Sequence, residues 1–183
     1  MRILFAMDKK DYAGCTHEYV RHSARGIIIR DGKVAMVHSR KYDYYKFPGG
    51  GIEKGEDPVQ AMIRETREEA GLIVRPETVC EYGCVPRRQR SETDKTECFV
   101  QDNYYYICEA EDASAGQQLD EYEADEGFSL VFVDPAEAIA KNRSAVKSDF
   151  SRTMLEREAR VLEMLTEEGF FRSETECGQE KNG

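Results

Sequence analysis

Apolar positions recur along the chain with two periods, and each change of period marks an element. Ala24-Arg25-Gly26-Ile27-Ile28-Ile29-Arg30 and Lys33-Val34-Ala35-Met36-Val37-His38 are β-rich runs joined by Asp31-Gly32, a strong hairpin signal. Further strands are predicted at about 72–86, 98–109 and 129–133, and Met1–Met7, too short for a signal-peptide core, predicts another strand. Between 58 and 70 the period becomes helical: Val59, Met62, Ile63, Thr66 and Ala70 form a stripe for the core. Asp57 is suited to the N-cap, Pro58 to the first helical position, Gln60 to a capping box, and Gly71 to a left-handed C-terminal stop. Asp134-Pro135 predicts a short helix over 135–141. A longer one over about 149–168 carries Met154, Leu155, Val161, Leu162 and Leu165. The stretches 87–97 and 110–127 read as long loops, a Tyr- and Lys-rich loop spans 41–46, and the aperiodic 171–183 reads as a flexible tail. This order of elements predicts an α/β fold with a mixed sheet between helices.

The chemistry concentrates in Gly50-x5-Glu56-x7-Arg64-Glu65-Thr66-x-Glu68-Glu69-x-Gly71-Leu72. A helix gathers Glu65, Glu68 and Glu69, at i, i+3 and i+4, on one face. Like charges at that spacing repel by a few tenths of a kcal/mol per pair. A hard, oxygen-seeking divalent cation reverses the sign. The plain alternative is a solvated acidic face with an ordinary Arg64–Glu68 ion pair. The glycine turn, Glu56, both caps and Gly71, all in step with that face, favour function.

These residues resemble the Nudix box of the Nudix hydrolases. Phe47-Pro48-Gly49-Gly50 is similar to that family's lead-in, and the order of elements extends the likeness over roughly 22–140. Thr66 departs from the pattern, standing where a larger aliphatic residue is usual, and it faces the core stripe. The resemblance implies a Nudix-like α/β/α sandwich, with a single domain over 1–170 that includes an N-terminal strand and a C-terminal helix. It implies Mg²⁺-dependent hydrolysis, with Mn²⁺ as a substitute, of a pyrophosphate bond in a nucleoside diphosphate linked to another moiety. Nucleotide sugars such as ADP-ribose and nucleoside triphosphates both satisfy that description. The metal ligands it implies are Glu65 and Glu69, with Glu68 assisting, and the carbonyl of Gly49, where the missing Cβ leaves access. Arg64 is implied to orient carboxylates with Glu56 as its partner, and the general base is a box glutamate or an acid of the 120–126 run, Glu126 or Glu123. The alternative is a nucleotide-binding sensor domain without turnover, and a protein-interaction scaffold would leave the glycine turn unexplained.

Composition narrows the partners. The chain has 183 residues, 40% hydrophobic and 34% charged, the mix of a soluble globular protein. No apolar run approaches the roughly 18 residues of a membrane span, so a cytoplasmic location without a membrane partner is expected. A net charge of −10 disfavours a nucleic-acid backbone as ligand and leaves a small nucleotide substrate, with a homodimer left open. Local cations remain for phosphates: Arg40, Lys41 and Lys46 beside the glycine turn, and Arg87, Arg88 and Arg90 further on. Tyr42, Tyr44 or Tyr45 offers a stacking surface, although packing is the commoner role. From these sets Arg40, Lys46, Tyr45 and Arg88 are the expected substrate contacts. Cys15, Cys80, Cys84, Cys98, Cys108 and Cys177 lack zinc-type spacing and are read as reduced, mostly buried thiols.

Overall fold

The structure, a computed structural model, describes residues 1–144 and 149–172, apart from the side chains at 113, 114 and 149–151. Most of the expected tail, and Cys177 with it, lies outside the described residues. In chain order the elements are β1 (Met7–Asp8), β2 (His17–Val20), β3 (Ser23–Ile27), β4 (Ile29–Arg30), β5 (Lys33–Ser39), β6 (Tyr44–Lys46), β7 (Gly49–Gly51) and α1 (Pro58–Ala70). There follow β8 (Leu72–Val74), a 3₁₀ turn (Pro76–Thr78), β9 (Cys80–Arg90), β10 (Glu97–Ile107), β11 (Ala110–Ser114), α2 (Glu121–Glu126), β12 (Phe128–Val133), α3 (Pro135–Ser144) and α4 (Asp149–Glu167). Contacts group these into two compact units, Met1–Ile27 with Pro48–Gln118, and Ile28–Phe47 with the described residues from Leu119 onward.

The first unit holds a mixed sheet in the order β1-β9-β10-β3-β7, with β2 also paired to β10, and a small β11–β8 ladder. β10 runs parallel to β3 and antiparallel to β9, and β3 meets β7 antiparallel through Ser23↔Gly51, Ala24↔Gly50 and Arg25↔Gly49. Helix α1 packs on this sheet where Gly26 lets it approach: a Cβ there would lie 3.1 Å from Thr66 Oγ1 and 3.2 Å from Met62 Sδ. Thr66 is fully buried at this contact.

The buried residues of α1 are Ala61, Met62, Thr66, Glu69 and Ala70, while Val59 and Ile63 are half-buried. The expected stripe is therefore shifted, and one of the three box-helix glutamates lies inside it. Near the N-terminus the expected strand reduces to a bridge at Ile3 and the two residues of β1, both on β9. Loop 87–97 is shorter than expected because β9 continues to Arg90. The 110–127 stretch likewise contains β11 and α2.

The second unit holds a four-stranded sheet, β12-β5-β4 with β6 also on β5. The expected hairpin is present as Ile29↔Val34 and Arg30↔Lys33, and Asp31 and Gly32 both have positive φ, 49° and 71°. The run 24–30 is not one strand, however. Cys108 N–H donates to Ile27 O at 3.0 Å, whereas Ala35 N–H donates to Ile28 O at 2.8 Å, so the chain changes sheets between those carbonyls. Lys- and Tyr-rich 41–46 is also corrected: its second half is strand β6, buried throughout. The side-chain amide of Asn142 completes that strand, accepting from Tyr45 N–H and donating to Tyr45 O, each at 2.9 Å.

Asp134 caps α3, accepting from Ala136 N–H at 2.8 Å, and the helix runs three residues past the expected end. Helix α4 buries Leu155, Ala159, Val161, Leu162 and Leu165. It also buries Arg157 and Glu158 at 2% and 0% exposure, paired at 2.8 Å. Periodicity gave no sign of that pair. Five described cysteines are free thiols, and burial pushes Cys84 up to about 11 and Cys108 up to about 12. Among the described residues no helix is long and apolar enough to cross a membrane.

Candidate active site

Helix α1 is fixed at both ends. Asp57 Oδ1 accepts from the N–H groups of Val59 (2.9 Å) and Gln60 (3.3 Å), with Pro58 in the first turn. Gly71, at φ 67°, donates to Arg67 O at 2.9 Å. The segment after β11 closes the C-terminus, with Gln118 N–H donating to Glu68 O at 2.8 Å and the Gln117 side-chain amide to Glu69 O. Motif spacing gives no signal for Gln117 or Gln118; only the unsatisfied carbonyls of a helix end hint that some donor must arrive.

Arg64 is the hub of the polar face. Its Nε and Nη2 reach the two oxygens of Glu56 at 2.9 and 3.0 Å, a bidentate fork. Nη1 donates to Glu65 Oε1 at 2.8 Å and Glu68 Oε2 at 3.1 Å, and Nη2 also to Gly51 O at 3.2 Å. Hydrogen bonding to Glu56 holds the guanidinium above its ordinary value, and the same bonds hold the Glu56 carboxyl below its own. One guanidinium thus contacts Glu56, Glu65 and Glu68 together. A cavity of about 400 Å³ opens beside it, lined by Gln60, Ile63, Arg64, Arg67, Glu68 and Gln118.

The glycine turn packs against this face atom by atom. A Cβ on Gly50 would fall 2.3 Å from Glu65 Oε2, so that glycine makes room for a carboxylate. Gly49 N–H donates to Glu69 Oε2 at 3.0 Å, and Gly49 O accepts from Arg25 Nη1 at 3.0 Å. At φ 136° a Cβ on Gly49 would lie 2.2 Å from Ala24 O and 2.7 Å from Arg25 Cα. The close approach of β3 by itself requires a glycine here. Spacing gives no signal for Arg25, which stands in a β-rich run between Ala24 and Gly26.

Among the described residues no three His, Cys, Asp or Glu side chains surround a common point where an ion could sit. Two do converge, since Glu65 and Glu68 meet at Arg64 Nη1. In chemistry the set fits a hard divalent cation, with oxygen donors and carboxylate charge close together. Glu69 differs from its neighbours in being 2% exposed, which corrects the expectation of one open acidic face.

The remaining candidates lie in defined places. Glu126, at the end of α2, accepts through Oε2 from Ser39 Oγ at 2.9 Å and Tyr44 OH at 2.8 Å. Glu123 is buried and serves α2 as its capping-box acid, accepting from Asp120 N–H at 2.9 Å. Arg40 is exposed, its stem beside Gly127. Tyr45 and Lys46 are only 7% exposed. Tyr45 lies 4.9 Å from the His38 ring, its hydroxyl pKa raised by burial, and Lys46 Nζ sits 4.6 Å from the Phe128 ring centre. They are packed strand residues, because β6 pairs with β5, rather than members of an open loop. The 87–90 arginines are strand residues too, alternating between faces: Arg87 is buried against Phe99, and Arg88 is exposed, paired with Glu18 and stacked on Tyr12 at 4.9 Å.

A family model described as the NUDIX domain matches residues 20–154, most of the chain. The chain belongs to the Nudix family. An RNA pyrophosphohydrolase of Xanthomonas oryzae pv. oryzae is 43% identical over 63 residues, 33% of this chain and 30% of that protein. One from Xylella fastidiosa is 43% identical over 60 residues, again 33% and 30%. The chain spans about 30% of the length of the curated relatives it matches. A solved Nudix hydrolase from Nitrosomonas europaea is similar in fold, with 19% identity, 75% of this chain and 87% of that one covered, and a TM-score of 0.51. The Nudix fold and its α/β class are those the box predicted.

Proposed function

We propose that this Nudix chain is a divalent-metal-dependent pyrophosphohydrolase acting on a nucleoside diphosphate linked to another moiety. The observation that carries the reading is Arg64 drawing Glu65 and Glu68 to one point, on a helix whose third glutamate is fixed by the glycine turn. Glu65, Glu68 and Glu69 are the residues that would hold Mg²⁺ or Mn²⁺. Such an ion lowers the pKa of a bound water and neutralises phosphate oxygens. The protein's own part is positional. Arg64 holds two carboxylates in place through a guanidinium that keeps its charge, Gly50 leaves space for Glu65, and the Gly49 N–H orients Glu69. Glu126 is proposed as general base, its carboxylate orientation set by Ser39 and Tyr44. Arg40 is proposed as a phosphate contact, with Arg88 as a second; both are exposed.

The test is a substrate panel with Mg²⁺, scored for released phosphate, pyrophosphate and nucleoside monophosphate. It includes ADP-ribose, nucleoside triphosphates, dinucleoside polyphosphates and a 5′-triphosphorylated RNA. The RNA belongs there because of the names of the two relatives, despite the net charge of −10. Turnover undiminished in excess chelator would defeat the metal assignment. The second reading is a nucleotide-binding sensor domain without turnover. Calorimetric binding of a panel member that is never cleaved would select it.

A further inference from the structure

We propose that Arg67 is a specificity-determining residue, which receives a further phosphate beyond the scissile pyrophosphate bond and so favours polyphosphate substrates over nucleotide sugars. This rests on the hydrolase function proposed above. Gln60, Ile63, Arg64, Arg67 and Glu68 stand at i, i+3, i+4, i+7 and i+8 of α1, on one face of the helix. All five line the cavity of about 400 Å³, at the small end of the roughly 300–1,000 Å³ typical of ligand pockets. Gln118 completes the lining. Its segment is pinned to the end of α1, by its own N–H on Glu68 O at 2.8 Å and by Ala115 N–H on Gly71 O at 2.9 Å.

The polar groups of the cavity fall into two sets. Arg64 and Glu68 are committed: Nε, Nη1 and Nη2 of Arg64 donate to Glu56, Glu65, Glu68 and Gly51 O. The guanidinium of Arg67 and the side-chain amides of Gln60 and Gln118 have no hydrogen bond or ion pair among the described residues. The cavity therefore offers a ligand one permanently charged, planar fork of N–H donors, two amides and the apolar side chain of Ile63. Such a fork matches phosphate oxygens in pairs. Arg64 is no substitute, since its charge is shared among three carboxylates. Glu68 belongs both to the carboxylate set of the proposed site and to the cavity, so a phosphate chain that starts at that set next meets Arg67. A neutral sugar in the same place leaves the fork without a charged partner. Arg67 also stands in the last turn of α1, where any cation suits the helix dipole. That role shows in stability and is indifferent to the substrate.

Wild type, Arg67→Gln and Arg67→Lys are compared in steady-state kinetics on a nucleoside triphosphate and on ADP-ribose. Calorimetric binding of tripolyphosphate in Mg²⁺ and thermal midpoints are recorded in parallel. Wild type is expected to have the higher kcat/KM on the triphosphate. Arg67→Gln should raise KM for the triphosphate at least about fivefold with kcat nearly constant, and leave KM for ADP-ribose within about twofold. It should weaken tripolyphosphate at least about fivefold as well, with a midpoint close to wild type because no contact within the protein is lost. Arg67→Lys keeps the charge without the fork and should fall between the two. A wild type that prefers ADP-ribose overturns the proposal, as do KM values that shift equally for both substrates or for neither. A wild type that cleaves neither substrate nor any other of the panel defeats the hydrolase function, a separate result. Tripolyphosphate then decides on Arg67: a fivefold loss in Arg67→Gln upholds its phosphate contact, and equal binding, or none by wild type, overturns it.

Discussion

Glu69 Oε2 accepts a hydrogen bond from Gly49 N–H at 3.0 Å, from a side chain only 2% exposed. The third carboxylate of the box helix therefore acts within the fold as well as in the proposed chemistry. Glu69→Gln keeps an acceptor for that N–H and is expected to leave the thermal midpoint almost unchanged, while activity falls by about two orders of magnitude or more. Glu69→Ala leaves a buried N–H without its acceptor and should cost about 1–3 kcal/mol. Denaturant midpoints beside turnover numbers check both. Equal stability losses in the two variants would remove the hydrogen bond from the explanation.

The two adjacent glycines should fail in different ways. Gly50→Ala puts a methyl where the Glu65 carboxylate lies, a flexible group that can move, so activity should drop about tenfold or more with little loss of stability. Gly49→Ala meets backbone at 2.2 Å and should cost about 2–4 kcal/mol through the β3–β7 ladder. Thermal melts and activity of the pair decide it, and a reversal of the two patterns contradicts the packing described.

Acid stability offers a check on the Arg64 fork. Glu56 is held below its ordinary 4.5 by hydrogen bonds from Arg64, so its contribution to stability is present above the unfolded value and is lost as pH falls through the lowered folded value. Arg64→Met removes the cause. The variant should be less stable at neutral pH, and its melting temperature should depend less on pH between about 3 and 5. Parallel curves for variant and wild type across that window would show that Glu56 is not the group responsible.

Arg157 and Glu158 form a buried pair in the second unit, and Glu158 Oε2 also accepts from Phe47 N–H at 2.8 Å. Arg157→Met strands a buried carboxylate and should destabilise by about 3–5 kcal/mol. Adding Glu158→Gln to that variant should recover part of the loss, because the amide is neutral and still accepts from Phe47. A double variant less stable than the single one contradicts this account; chemical denaturation gives the comparison.

A division of labour is expected between Arg40 and Glu126. Arg40→Ala should raise KM several-fold with kcat nearly constant, the mark of lost uniform binding. Glu126→Gln should lower kcat by about 10²-fold or more with KM nearly constant, as for a general base. Steady-state kinetics on the best substrate of the panel reads both, and the opposite assignment of effects would exchange their roles.

The sequence by itself determined what depends on near neighbours. The caps Asp57 and Asp134, the stop at Gly71 and the Asp31-Gly32 hairpin are local, fixed by backbone conformation and by side chains that reach only a few residues. Arg64 with Glu56, Glu65 and Glu68 was legible for a related reason: helical spacing and the box's fixed interval to Glu56 set which charges belong together. The tertiary structure decided everything that depends on which surface another element covers. Helical periodicity cannot tell that Glu69 lies under the glycine turn, that Arg25 reaches Gly49 across a ladder, or that Tyr45 and Lys46 enter a strand. Nor does it tell that the run 24–30 divides between two sheets after Ile27, since a string of apolar residues serves either sheet equally well. Burial of a polar group is decided by the partner that satisfies it, and those partners, the Gly49 N–H for Glu69 and the Phe47 N–H for Glu158, come from distant parts of the chain.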